Sequence, residues 1–168
     1  TPDFGLRLGE QLQPSAHGPM GYLALSSPDL WSALKALRDY LPTRLPWVAV
    51  DLSLQDGSMI CELRFIIGLD DNHTARVTMA ECFAMIMQSF VEAVLGRAAT
   101  EACIRFAHPP PAHAQSYNGY LHAPYSFGAS SNTYQLPVEL AEVKNASGDN
   151  SSYRLTQDLC NKLLEATP

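Results

Sequence analysis

The residues of this chain able to act as nucleophiles, metal ligands or proton carriers near neutral pH are four cysteines and five histidines. Cys61, Cys82, Cys103 and Cys160 lie 21, 21 and 57 residues apart with no CxxC, so no zinc spacing is present. In a chain of 168 residues they read as reduced, buried thiols of a cytosolic protein. His108 and His113 are five apart, but Pro109, Pro110 and Pro111 break the helix that would bring both imidazoles to one face. No metal site and no cofactor is expected. A thiol hydrolase could pair Cys103 or Cys82 with His108, yet both cysteines fall inside regular elements rather than on exposed turns. GxSxG, GxxxxGK[ST], GxGxxG and HExxH are absent. The available chemistry is recognition, and no enzymatic activity is expected.

The side chains suited to recognition are of two kinds. Phe106, Tyr117, Tyr120, Tyr125, Phe127 and Tyr134 concentrate in the C-terminal half, where amphipathic rings suit a pocket wall or an interface. Phe83 and Met87, with Met79, Met85 and Phe90, could line an adaptable cavity, with plain core packing as the competing role. Arg64, Arg105, His108 and Asn132 are the polar candidates. They would suit a ligand with an apolar body and an acidic head group held by Arg64 or Arg105. The competing role for both arginines is an exposed strand position.

These residues need elements to position them. Residues 5–22, rich in glycine, read as a short helix or turn followed by a loop. Residues 28–41 read as a helix, with Ser27 as N-cap, Pro28 in the first turn and Leu30, Leu34, Leu37 and Leu41 as one stripe. Asp56-Gly57 is a strong two-residue hairpin signal between strands at 47–54 and 58–67. That turn fixes a register in which Leu54 faces Met59, Leu52 faces Cys61, Val50 faces Leu63 and Val48 faces Phe65. Asp51 then faces Glu62, a like-charge pair that a diagonal Arg64 can relieve.

Thr78-Met79-Ala80-Glu81 has the form of a capping box for a helix over 79–95, with Gly96 at its C-terminal end. Glu81, Gln88 and Glu92 form one narrow polar stripe; the rest is apolar nearly all round, as in a buried or interfacial helix. Residues 100–107 alternate as a strand, which the three prolines end. A short helix near 112–121 follows, then a hairpin of 125–129 with 133–136, a short helix near 138–144, a flexible polar loop and a last helix over 154–165. The order gives an α+β fold of two layers, a mainly antiparallel sheet packed on helices.

Apolar residues make up 46% of the chain and charged residues 17%, a globular composition of a size that fits one domain. The net charge of −6 and the scatter of eleven basic residues argue against this chain alone gripping DNA. No run of 18 apolar residues and no signal peptide is seen, so neither a membrane span nor a membrane partner is expected. Asn145-Ala146-Ser147 matches a glycosylation sequon, which carries little weight without a secretion signal.

Several ordered runs resemble one family. They are Phe4-Gly5-Leu6-Arg7-Leu8-Gly9-Glu10, then Gly18-x-x-Gly21-Tyr22, then Ser26-Ser27-x-x-Leu30-x-x-Ala33-Leu34. Further on come Phe106-x-His108-x-x-Pro111, Tyr117, Pro124, Phe127-Gly128-Ala129, Asn132 and Leu140. Together they resemble the N-terminal effector-binding and dimerisation ("arabinose-binding") domain of AraC-family bacterial transcription regulators. The resemblance implies a cytoplasmic regulator whose DNA-binding half, with two helix-turn-helix units, lies outside this chain. It divides the chain into an effector-binding and dimerisation domain over 1–144, a flexible loop over 145–153 and a linker or dimerisation helix over 154–168. The expected partners are a small-molecule effector and a second copy of the chain, met through Leu155, Leu159 and Leu163. The alternative is a purely structural homodimerisation domain without a ligand.

Overall fold

The computed structural model describes residues 2–66, 68 and 72–167. Ten principal elements follow one another: α1 (Phe4–Gln11), α2 (Pro19–Ser26), α3 (Leu30–Tyr40), β1 (Val48–Gln55), β2 (Ser58–Phe65), α4 (His73–Leu95), β3 (Cys103–Arg105), β4 (Tyr125–Ser126), β5 (Asn132–Pro137) and α5 (Asn150–Ala166). The strands form one sheet in the order β1-β2-β5-β3-β4, antiparallel except for the β3–β4 pair. Helices cover one face, as the expected α+β architecture requires. The expected end of the second strand at residue 67 lies outside the described residues.

The β1–β2 register is the one the turn dictates, from Val48 opposite Phe65 to Leu54 opposite Met59. Asp56 and Gly57 both take positive φ (50° and 77°), the condition for a two-residue turn that follows the strand twist. Asp51 does face Glu62, and Arg64 relieves the pair by donating from Nε and Nη2 to the Asp51 carboxylate (2.9 and 3.3 Å). The second expected hairpin does not form. β4 pairs with β3 in parallel, and β3 lies between β4 and β5. Ser130 and Ser131 thus belong to a crossing rather than a tight turn, and Asn132 opens β5. The expected helices near 112–121 and 138–144 shrink to short 3-10 helices, Ala114–Gly119 and Val138–Leu140.

Helix boundaries moved where a better cap lay nearby. Asp29, not Ser27, caps α3 by accepting from the Ser32 N–H (2.9 Å). Helix α4 starts six residues before the expected point, capped by Asn72, whose side chain accepts from the Ala75 N–H (3.0 Å). Thr78 therefore lies inside the helix, and Glu81 is free for another role. The segment 145–149 is not loose. Asn145 is buried and donates from Nδ2 to the carbonyls of Leu25 and Ser27 (2.8 and 2.9 Å), and the Asp149 N–H bonds Ser26 O (3.0 Å). Asp149 then caps α5, which begins four residues earlier than its leucine stripe suggests.

The N-terminal region is more ordered than its glycines imply. Glycine inside a helix costs about 1 kcal/mol relative to alanine, so local propensity disfavours α1. Packing overrides it: α1 lies directly on α4 at its two glycines. A Cβ at Gly9 would stand 2.5 Å from Met85 Cβ, and one at Gly5 would stand 2.6 Å from the Thr78 carbonyl oxygen. Leu6, fully buried between them, holds the helix down. Gly9→Ala should therefore destabilise the domain by about 1–3 kcal/mol. Gly119→Ala, where an added Cβ meets nothing within 4 Å, should change stability by less than about 0.5 kcal/mol. Denaturant midpoints of the two variants check this.

Candidate functional site

Helix α4 is 23 residues long, and 67% of its most apolar stretch is buried. Its three polar stripe residues are each bonded by the segment 99–122, although Glu81 Oε1 is buried without a hydrogen-bond partner among the described residues. His113 Nε2 bonds Glu81 Oε2 at 2.6 Å, with Glu81 only 1% exposed. Gln88 donates from Nε2 to Tyr120 O (3.0 Å) and accepts the His122 N–H (2.8 Å). Glu92 bonds His122 Nδ1 (2.8 Å) and accepts the Ala99 N–H (2.8 Å). The stripe is thus a polar seam that fastens this segment along the helix.

Above the seam sits an aromatic cluster. Phe106 stacks on Phe127 (centroids 5.7 Å apart) and meets Tyr117 edge-on (5.2 Å). His108 lies 5.2 Å from Phe106. Its Nδ1 bonds Pro109 O (2.9 Å), an atom that can only accept. The proton is therefore on Nδ1, and Nε2 faces the Tyr117 hydroxyl at 3.5 Å as an acceptor. Burial holds the His108 imidazole below its ordinary pKa and so neutral. Burial first, and then the nearby Glu81 carboxylate, push the Tyr117 phenol far up. Among the sequence candidates, Phe106, His108, Tyr117 and Phe127 are brought together here, but packed ring on ring.

The remaining candidates are dispersed. Phe83 and Met87 face a different space. Tyr120 lies beside α1, its hydroxyl 3.4 Å from Asp3 Oδ2. Asn132 is buried and accepts the Ala107 N–H (2.9 Å), beside a groove that His108, His73 and Arg76 also line. Arg64 and Arg105 project from the face of the sheet that the helices leave open: Arg64 pairs with Asp51, and Arg105 donates to Gln135 Oε1 (2.8 Å). No cluster of three His, Cys, Asp or Glu side chains suited to a metal occurs among the described residues.

The space that Phe83 and Met87 face is a cavity of about 230 Å³ enclosed by α1, α3, α4 and the inner face of β1–β2. Leu8, Leu37, Val50 and Leu63 complete its walls, and its lining is almost wholly apolar. Leu12, Leu45 and Trp47, all partly exposed, form its mouth. Cys82 is the thiol in the wall. Burial raises its pKa to about 11, and its Sγ–H donates to Gly5 O (3.3 Å), which leaves it a packing residue. The leucines of α3 and the inner hairpin residues are visible in the sequence as apolar stripes. What periodicity does not reveal is that they face one another across a gap.

Residues 1–145 match the family described as "Arabinose-binding domain of AraC transcription regulator, N-term". The chain belongs to this family, as the N-terminal regulatory domain of an AraC-type transcription regulator. It is similar to the ornithine utilization regulator of Pseudomonas aeruginosa, 31% identical over 164 residues that make up 97% of this chain and 47% of that protein. Its fold is shared with the transcriptional regulator CdpR of Pseudomonas aeruginosa, with a TM-score of 0.78 at 20% identity over 99% of this chain and 55% of the other. The chain spans about half the length of these relatives.

The seam gives a direct test. His113→Ala leaves the buried Glu81 carboxylate without its partner, which should cost about 2–4 kcal/mol in the denaturation midpoint. Adding Glu81→Leu to His113→Ala should recover much of that loss, because the stranded charge is gone.

Proposed function

We propose that this domain senses a small apolar effector and dimerises, and so sets the geometry of DNA-binding halves carried elsewhere in a cytoplasmic regulator. The observation that carries the sensing role is the apolar cavity bounded by Phe83, Met87, Leu37 and Leu63. An apolar void of roughly 150 Å³ already suffices to bind benzene, so this one suits a somewhat larger apolar body. Core voids lose dispersion contacts and destabilise a fold, so a retained one of this size favours an occupant. The wall at Met79, Ile86 and Met87 adds unbranched and flexible side chains that adapt to shape. The cavity lining holds no cation. The effector's recognition there rests on shape and burial, and neither Arg64 nor Arg105 serves it. Family membership favours regulation over catalysis, and DNA contact would come through the other half of the protein.

Dimerisation is assigned to α5 and to a second copy of the chain. The helix packs one side on α2 and α3 through Cys160, which is 1% exposed, and through a bond from the Tyr40 hydroxyl to Asn161 Oδ1 (2.6 Å). Leu155, Leu159 and Leu163 point away, 73, 48 and 38% exposed. A stripe at i, i+4 and i+8 left in water is the pattern of a helix awaiting a partner helix.

Native mass spectrometry of the purified domain should show a retained adduct that is lost on denaturation, and Leu37→Phe, which narrows the cavity, should remove it. A thermal-shift screen of apolar compounds that finds no stabiliser, together with an adduct-free spectrum, would leave the purely structural reading standing. Light scattering should show a dimer for the parent domain and a monomer for Leu155→Arg/Leu159→Arg, whose exposed positions leave the fold intact.

A further inference from the structure

Strand β1 forms one edge of the sheet and is its least protected backbone. It is eight residues long, whereas β4, at the other edge, has two. A short edge offers few groups to a foreign strand. A long one exposes a row of unpaired donors and acceptors unless a proline, a lysine or a bulge interrupts it. None of these occurs in Val48–Gln55, and the strand's single charge, Asp51, is matched by Arg64.

The register identifies the free groups. In an antiparallel pair, residues that exchange hydrogen bonds alternate with residues whose backbone groups turn outward. Gln55 and Ser58 close the two-residue turn as a bonded pair, and at the other end the Ile66 N–H donates to Trp47 O (2.8 Å). The odd-numbered residues of β1 therefore bond β2, and Val50, Leu52 and Leu54 direct their N–H and C=O groups to the empty edge. No turn, loop or cap hydrogen bond takes up these groups among the described residues. The side chains of the same three residues are on the helix side of the sheet, but the helix layer stops short of the strand's end. Met59 is fully buried, while Leu54, opposite it, is 57% exposed. Unused backbone groups and an uncovered leucine thus coincide on one half of the strand.

We propose that this edge pairs with the same edge of a second copy, antiparallel, about a two-fold axis at Leu52. Matching the free groups requires even-numbered residues to face even-numbered ones. Centring the pair on Asp51 would set two carboxylates opposite each other, which is destabilising. Centring it on Leu52 gives the longest register without a like-charge pair, because moving further along shortens the overlap. Asp51 then faces the partner's Ser53, whose hydroxyl can donate to it, and Val50 faces the partner's Leu54. The axis is perpendicular to the sheet, so both helix layers stay on one side and the two five-stranded sheets become continuous. About six main-chain hydrogen bonds form across the junction. A single strand pair of this size is marginal in water, so the contact is weaker than a packed helix interface and joins dimers as concentration rises. It shares no residue with the leucine stripe of α5 and holds whether or not the apolar cavity is filled.

The test uses the Leu155→Arg/Leu159→Arg domain, which removes the α5 contact so that edge pairing is read alone. Sedimentation and backbone amide NMR are followed from micromolar to millimolar concentration. The expected result is a concentration-dependent dimer in which the amides of Val50, Leu52 and Leu54 shift and exchange at least about tenfold more slowly, while those of Asp51 and Ser53, already bonded to β2, are protected throughout. Leu54→Lys, at an exposed site, should keep the folded spectrum and abolish both effects. Leu52→Pro, which removes an N–H with no partner inside the domain, should do the same. The proposal is overturned if the domain stays monomeric at millimolar concentration, if association leaves the three even-numbered amides unshifted, or if the Leu54→Lys variant associates as tightly as its parent. A synthetic peptide of residues 48–55 that protects those amides in a domain that does not pair with itself would also overturn it, and would make a foreign strand the occupant.

Discussion

The structure depends on the requirement that a 23-residue helix, apolar on nearly every side, be enclosed along most of its length. The polar groups buried with it lose water and need partners from the protein. Helix α4 finds most of those partners along one line, with Glu81 Oε1 left over among the described residues. Glu81 and Glu92 bond the imidazoles of His113 and His122, Glu92 and Gln88 accept the backbone N–H groups of Ala99 and His122, and Gln88 donates to the Tyr120 carbonyl. That line fixes where the segment after β3 must run, and with it the ring cluster around Tyr117. Alongside that line the same helix accepts α1 at glycine contact distance. Elsewhere it closes over the inner face of the hairpin, and the apolar cavity is what remains between them.

Much of this was legible in the sequence where two local signals agreed. The hairpin is the clearest instance: the Asp56-Gly57 turn and the alternation around it specify one register, and the structure has it. Glu81 is the opposite instance. Its position three residues after Thr78 satisfies a capping pattern, but Asn72 supplies a cap further upstream. The carboxylate's true partner, His113, is 32 residues away in sequence, beyond any local pattern. Helix α1 was legible only as a short helix or turn, and α2 as a loop, for a related reason. Glycine argues against a helix when read locally, whereas here it permits an approach that only the tertiary fold rewards. The 125–136 region read as a hairpin because adjacent strands usually pair; the insertion of β3 between β4 and β5 is a long-range choice. The aromatic candidates did converge, but on one another, and the two arginines emerged on the far side of the sheet from the apolar cavity.

The sheet divides two chemistries by its pleat alone. Successive residues of β1 and β2 alternate between the helices and solvent, so one face of the hairpin walls an apolar space and the other carries matched charges and hydroxyls. A change in the strands' twist or separation is felt on both faces, because neither has an independent backbone. At the far end, Asn145 and Asp149 tie the start of α5 to the α2–α3 junction, so the leucine stripe is presented at a defined angle rather than on a tether.

The position of Trp47 has an optical consequence. It is one of two tryptophans in the chain and stands 41% exposed at the mouth of the apolar cavity, whereas Trp31 lies in α3 at a partly buried site away from that lining. An indole half in water and half against leucines emits at a wavelength set by how many water molecules reach it. Whatever enters or leaves that mouth changes this hydration directly. The protein therefore carries its own intrinsic fluorophore at the threshold, readable in dilute solution without label or modification.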